Sequence, residues 1–364
     1  MTRIALTGAN GFLGWHTRAS LREQEGAVSA ITVGENFSAE QATDAINGAD
    51  RLVHIAGVNR AADEDVREGN VTFAEQIADS IRRADRPPRV VAYANSTQIA
   101  NGSVYGESKA KAGEILATAA AAVGAEFVDV VLPNLFGEHG RPFYNAVTAT
   151  FSHLLAEGEQ PTVDQNKELT LLHAQNAADL LLGTVPSSAQ SSLEVRESVS
   201  GLLARLSTQA ETYRRGEIPD VSAPFDRDLF NTYRSHTFPA QAPVRLTRHA
   251  DARGSFFEII RSHGGDGQSS FSTTVPGITR GDHFHRRKIE RFTVLSGRAT
   301  ISLRRLFTNE VFEFTVSGDE PAAVDMPTMW AHNIANIGAE TLYTSFWTND
   351  IFDPEHPDTI AEVV

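Results

Sequence analysis

The patterning of this chain changes once, near "SHTFPAQAPVRL", where Pro239 and Pro243 interrupt any helix. Before that point short apolar runs alternate with helix-forming stretches. Strand and helix in alternation imply a parallel sheet covered by helices on both faces. From Val244 onward helical signals vanish and short β-rich runs follow, separated by turns, which implies an all-β sandwich or barrel. A chain of 364 residues exceeds one ordinary core. The expected division is therefore residues 1–240 as a doubly wound α/β domain and residues 241–364 as a separate β domain.

In the first domain, strands are expected at Ile4–Leu6, Ala30–Val33, Arg51–Gly57, Arg89–Ser96 and Phe127–Pro133. Between the last two, "ESKAKAGEILATAAAAV" is rich in alanine and other helix formers. The Ser-rich stretch Pro186 to Ser200 reads as a surface loop. In the second domain the expected strands include "SFFEII", "RFTVLSG", "ATISLRRLF", "EVFEFTVSG" and "TLYTSFW".

A net charge of −14 argues against a broad nucleic-acid surface, although a few arginines would suffice for an anionic small substrate. Cysteine is absent, so disulfides, thiolate ligands and cysteine nucleophiles are excluded together, which fits a cytoplasmic protein. "MTRIALTG" enters a strand at once, leaving no room for a signal peptide. No apolar run approaches the ~18 residues needed to span a membrane.

The first strand runs into "TGANGFLG". Gly8 permits a tight turn, Gly11 lets backbone approach a pyrophosphate, and Gly14 lets the following helix pack on the strand. With Asn10, Phe12 and Leu13, these glycines are the expected dinucleotide-binding segment, its phosphates held at the helix N-terminus. "SVYGESKAKAG" then places Tyr105 and Lys109 four residues apart, on one side of a helix. A phenol is a poor proton donor at neutral pH. A lysine one turn away is expected to lower the pKa of Tyr105 and make it a general acid for a carbonyl under reduction. Ser96, with Thr97 beside it, ends the preceding strand and is expected to hydrogen-bond the same oxygen.

These residues resemble the extended short-chain dehydrogenase/reductase family, over about residues 1–240 and with a Rossmann-type sheet. The resemblance implies NAD(P)(H) as cofactor, Ser96, Tyr105 and Lys109 as the catalytic triad, and His54 and Asn70 in motifs near the cofactor. Glu35, just after the second strand, sits where an acidic residue binds the ribose 2′-hydroxyl and repels a 2′-phosphate, which points to NAD(H) or to relaxed cofactor choice. No arginine waits there for NADP(H).

"GITRGDHFHRRKIERFTVLSG" holds Gly277, His283, His285, Glu290 and Gly297. Strand alternation puts His283 and His285 on one face, and a returning strand can bring Glu290 beside them. His332, in "DMPTMWAHNIAN", completes three imidazoles and a carboxylate. That set suits one divalent metal per chain, zinc first. The spacing resembles the two-part signature of cupins, which have a jelly-roll β-barrel, except that Met329 stands where a glycine is usual. "RHADARGSFFEII" is similar to a run in the sugar-nucleotide 3,5-epimerase cupins. It implies Arg253 as a pyrophosphate contact and Glu258 as a nucleoside contact, with a structural Arg–Glu pair as the plainer alternative.

Both halves make sense if they share a substrate. A 4-keto sugar has acidic hydrogens beside its ketone, so a base can epimerise it and hydride can then reduce it. "HIAGVNR", "YGESK", "LPNLFGEHGRPFYNAVTATF", "GITRG", "HNI" and the terminal "FDPEHPDT" resemble, nearly end to end, the CapF-type family of bifunctional capsular polysaccharide enzymes. That resemblance implies 3-epimerisation of a UDP-4-keto-6-deoxy-N-acetylhexosamine by the cupin domain. The N-terminal domain would then reduce carbon 4, on the way to UDP-N-acetyl-L-fucosamine. It also implies NADPH, against the lean of Glu35, and a substrate cleft lined by Asn134 and Arg141. Lys288, then His249, are the candidate epimerase bases. A homodimer or higher homo-oligomer is expected. The rival readings are a reductase whose cupin is a metal-stabilised dimerisation module, and a sugar-nucleotide sensor without turnover.

Overall fold

The computed structural model describes all residues, Met1–Val364. They form two compact units that are not divided at one chain position. The first comprises Met1–Leu135 and Leu169–Arg196, the second Phe136–Glu168 and Glu197–Val364.

The first unit carries five parallel strands: β1 (Arg3–Thr7), β2 (Ala27–Ile31), β3 (Arg51–His54), β4 (Val90–Ser96) and β5 (Glu126–Leu132). Their order is β2-β1-β3-β4-β5, so the topology reverses between β1 and β3. Helices α1 (Phe12–Glu23), α2 (Ala39–Ile46), α3 (Asp63–Arg83) and α4 (Val104–Ala122) connect them. Successive strand residues feed different cores. Ala5, Leu52, Val91 and Tyr93 pack with apolar residues of α2, α3 and α4. Ile4, Leu6, Val53, Ala92 and Ala94 pack with Leu13 and Leu21 of α1 and with Ala177, Leu180 and Leu181. The sheet is therefore doubly wound, as the sequence pattern implied. Local chemistry favours the helices: Ser103 caps α4 by accepting from the Gly106 amide at 3.0 Å. Three acids in the first turn of α3 and two arginines in its last turn complement its dipole.

Three local expectations are corrected. β2 occupies Ala27–Ile31 rather than Ala30–Val33, because its pairing is set by β1, from Arg3 opposite Ala27 to Thr7 opposite Ile31. β3 stops at His54 rather than Gly57. The next two amides, of Ile55 and Ala56, leave the ladder and donate to the Thr7 hydroxyl at 3.0 and 3.1 Å. The Ser-rich stretch is ordered rather than a plain loop. It holds a short helix (Gln190–Leu193) and a strand (Val195–Ser198), and Ser198 caps the helix Val199–Arg214.

The second unit contains the helices Val147–Ala156, Val199–Arg214 and Pro224–Thr237 and two antiparallel five-stranded sheets. One sheet runs 268–274, 342–348, 290–296, 322–326, 244–245. The other runs 311–317, 298–305, 330–336, 279–284, 360–361. Phe292, Val294 and Met326 of one sheet meet Ile301, Leu303 and Ile334 of the other in a single core. This is the antiparallel β domain expected, with no helix after Thr237.

Arg291 and Asp325 face each other across two of these strands, joined at 2.6 and 2.8 Å with side chains only 1% and 2% exposed. Burial alone would raise the Asp325 carboxyl, but Arg291 outweighs it and holds it below the usual value. Removing one partner strands a buried charge. Asp325→Ala is expected to cost about 3–5 kcal/mol of stability, read by denaturant unfolding. Since the folded carboxyl titrates lower than the unfolded one, the wild-type advantage is complete at neutral pH. It fades as pH falls through the ordinary carboxylate range towards the depressed value.

Candidate active site and metal centre

The carboxyl ends of β1, β3 and β4 carry the predicted nucleotide site, at the edge where open α/β sheets bind ligands. Gly8 leaves β1 with φ +70°, and Gly11 is the N-cap of α1. A Cβ on Gly14 would lie 2.0 Å from the Gly8 carbonyl oxygen. Gly14→Ala is therefore expected to lose about 1–3 kcal/mol of stability or more and to lose nicotinamide binding. Thermal unfolding and fluorescence of bound NADPH would check both. Asn10 accepts from Arg18 at 3.3 Å, while Phe12 and Leu13 open α1, Leu13 buried in the core. The turn bearing exposed Glu35 is clamped by Gln76 of α3. Its side chain donates to the Gly34 carbonyl at 3.1 Å and accepts from the Gly34 amide at 2.8 Å.

His54 is only 1% exposed, and its Nδ1 lies 2.9 Å from the Thr7 hydroxyl that gathers the Ile55 and Ala56 amides. Burial, then the charge of Lys109, lowers it to about 3, so it stays neutral. It shapes the loop beyond β3 from within the core. Asn70 is buried too. It pairs with the Val58 backbone at 3.1 and 2.8 Å and donates to Ser108 of α4 at 3.1 Å.

Ser96 ends β4, and its hydroxyl accepts from the Gln98 amide at 3.2 Å. Tyr105 and Lys109 share α4 as expected, but their electrostatics differ from expectation. Burial raises the Tyr105 phenol rather than lowering it. Lys109 is buried, donates to the Ala94 carbonyl at 2.6 Å and lies over the Tyr93 ring at 4.1 Å. Burial lowers it to about 7, opposed by Asp129. Asp129, held by Asn95 at 3.1 Å, is a counter-charge the sequence did not announce.

Asn134 is exposed and donates to the Thr170 carbonyl at 3.1 Å. Arg141, in the second unit, is exposed with its guanidinium over Tyr144 at 4.7 Å. Its loop is anchored by fully buried Glu138, which accepts from Thr328 at 2.7 Å, and by His139, which accepts from Trp330 at 3.2 Å.

The four predicted metal ligands converge. One donor atom from each of His283, His285, Glu290 and His332 lies within 4.8 Å of the others. The three imidazole Nε2 atoms stand 3.7, 3.0 and 3.1 Å from one Glu290 oxygen. Backbone carbonyls fix two tautomers: His285 Nδ1 faces Asp358 O, and His332 Nδ1 faces Trp330 O at 3.0 Å. A carbonyl can only accept, so each Nδ1 carries the proton, and in the neutral ring each Nε2 turns a lone pair towards the carboxylate. Such a ring of acceptors requires positive charge at its centre, and a divalent cation fits it.

Arg253 and Glu258 do not pair with each other. Arg253, 89% exposed, binds Asp251 at 2.6 Å, and Glu258 binds Arg261 at 2.9 Å. Glu258 and His249 line a cavity of about 350 Å³ with Arg215, Arg245 and Arg261. Lys288 donates to the Pro357 carbonyl and the Thr359 hydroxyl at 2.8 and 3.2 Å.

Residues 4–190 match the NAD dependent epimerase/dehydratase family, and residues 249–360 match the polysaccharide biosynthesis C-terminal domain. The UDP-2-acetamido-2,6-beta-L-arabino-hexul-4-ose reductase of Pseudomonas aeruginosa is 29% identical over 367 residues, 99% of this chain and 98% of that one. The crystal structure of CapF, the capsular polysaccharide assembling protein of Staphylococcus aureus, is 31% identical, with a TM-score of 0.63 and both chains covered in full. The spore coat polysaccharide biosynthesis protein SpsL of Bacillus subtilis is 26% identical over 123 residues, 31% of this chain and 82% of its own. No helix is long and apolar enough to cross a membrane.

Proposed function

The chain belongs to the NAD dependent epimerase/dehydratase family, and from that premise we propose a bifunctional UDP-sugar enzyme of capsule or O-antigen assembly. Residues 241–364 epimerise carbon 3 of a UDP-4-keto-6-deoxy-N-acetylhexosamine. Residues 1–240 then reduce the carbon 4 ketone to a UDP-N-acetyl-6-deoxy-L-talose-type sugar, a precursor of UDP-N-acetyl-L-fucosamine. The observation that carries this reading is the end-to-end similarity to the P. aeruginosa reductase, in a chain that holds both the Tyr105–Lys109 helix and the four-donor cluster.

In the reductase, the Gly8–Gly14 turn would hold NAD(P)H, whose chemistry there would be hydride donation to carbon 4. Tyr105 gives its phenolic proton to the carbonyl oxygen, and Ser96 donates a hydrogen bond to that oxygen. The raised phenol keeps the proton available until negative charge develops. Lys109 offers positive charge behind it. In the cupin, a divalent metal held by His283, His285, Glu290 and His332, zinc foremost, would supply Lewis-acid polarisation of the ketone. Arg253 and Glu258 receive the nucleotide, while Asn134 and Arg141 contact the substrate of the reductase. The substrates place the work in the cytoplasm.

The test is incubation with the UDP-4-keto sugar in deuterated water without nicotinamide, followed by proton NMR. Loss of the carbon 3 proton, blocked by Arg253→Ala, is the expected result. NADH and NADPH, added in turn, then read the preference at Glu35. A second reading keeps the reductase alone and makes the cupin a homodimerisation module. It is favoured by the edge strand Gln268–Thr274 and the exposed Phe256 and Phe271. Ketone-dependent NAD(P)H oxidation without exchange at carbon 3 would decide for it.

A further inference from the structure

The terminal "FDPEHPDT" has no part in the chemistry above, yet it is bound to the metal loop. Asp358 lies in a left-handed conformation, φ 41°. Its carboxylate accepts three consecutive backbone amides: Arg286 at 2.8 Å, Arg287 at 2.9 Å and Lys288 at 2.7 Å. These residues are the link between His285 and Glu290. The Asp358 carbonyl meets His285 Nδ1. Lys288 closes the clasp on Pro357 and Thr359, and Ile360–Ala361 pairs with Phe284 and His283.

We propose that Asp358 is a positioning residue for the metal centre, its carbonyl fixing the His285 tautomer and its carboxylate setting the loop that delivers Glu290. The proposal rests on the reading of His283, His285, Glu290 and His332 as metal ligands. Partners that orient a ligating imidazole are worth about 10–100-fold in metal affinity. The clasp also gives Lys288 a structural task.

The experiment measures zinc affinity of the full-length chain by competition with a chromophoric chelator, and the visible absorption of the cobalt-loaded protein as a record of ligand geometry. Asp358→Gly keeps the backbone conformation and removes the carboxylate. It is expected to weaken zinc binding about 10–100-fold and to alter the cobalt spectrum. Wild-type affinity with a wild-type spectrum overturns the proposal. Should the glycine variant fail to fold, Asp358→Asn decides. Its amide nitrogen would face backbone donors at one of the two oxygen positions, so an affinity loss is expected and unchanged affinity overturns the proposal. A wild-type chain that binds no zinc, and is indistinguishable from His332→Ala, overturns the metal reading itself and this proposal with it.

Discussion

Tyr105→Phe is expected to lower the rate of ketone reduction by about 10²–10⁴-fold, the usual worth of a positioned general acid, with nicotinamide affinity unchanged. Single-turnover oxidation of NADPH by the UDP-4-keto sugar would measure the first, and fluorescence titration the second. Equal loss of reduction and cofactor binding would instead mean that the ring only packs the pocket. Lys109→Met separates chemistry from stability. Burial lowers Lys109 to about 7 from an ordinary 10.5, so between those values the unfolded chain holds the proton more tightly. Burying this lysine therefore opposes folding most at and below pH 7, and the penalty shrinks as pH rises towards 10.5. The methionine variant should reduce poorly, yet gain more stability at pH 7 than at pH 9. Thermal unfolding at the two pH values checks the sign.

The second large effect lies in the β domain. His285→Ala combined with His332→Ala removes two of four donors. If four-ligand zinc sites are worth about 10–16 kcal/mol, half of that is roughly 5–8 kcal/mol, or about 10⁴-fold or more in affinity. Equilibrium dialysis with metal analysis would read it. Added zinc should raise the thermal unfolding temperature of the wild type and leave that of the variant unchanged. Carbon 3 exchange should vanish with the metal, while reduction of an already epimerised ketone persists. Retained stoichiometric zinc would place the metal elsewhere.

What was legible in the sequence is what local spacing encodes. The Gly8–Gly14 turn and the one-turn step from Tyr105 to Lys109 each follow from the geometry of one local element, and His283 and His285 do converge, although the strand ends at Phe284, between them. Distant partners were not legible. β2 sits at Ala27–Ile31 because β1 pairs it there, and no residue of the expected Ala30–Val33 run declares that register. The raised Tyr105 phenol follows from burial, which spacing along a helix does not reveal. Arg253 and Glu258 look like a pair in sequence, but each has a nearer opposite charge, Asp251 and Arg261. The part played by Asp358 depends on a contact with residues some seventy positions earlier, Arg286 to Lys288.

The interleaving of the two units along the chain also governs how such a protein could be taken apart. A fragment ending at residue 240 would keep Phe136–Glu168 and Glu197–Ala240 but lose the strands they pack on. Phe238 stacks edge-on against Trp330 at 4.7 Å, and buried Arg234 donates to the Met326 carbonyl at 2.5 Å. Cut there, the fragment would expose an aromatic surface and orphan a guanidinium. The fusion is thus not a pair of interchangeable cassettes. Recombination at the apparent junction would therefore break the second unit rather than exchange one intact domain for another.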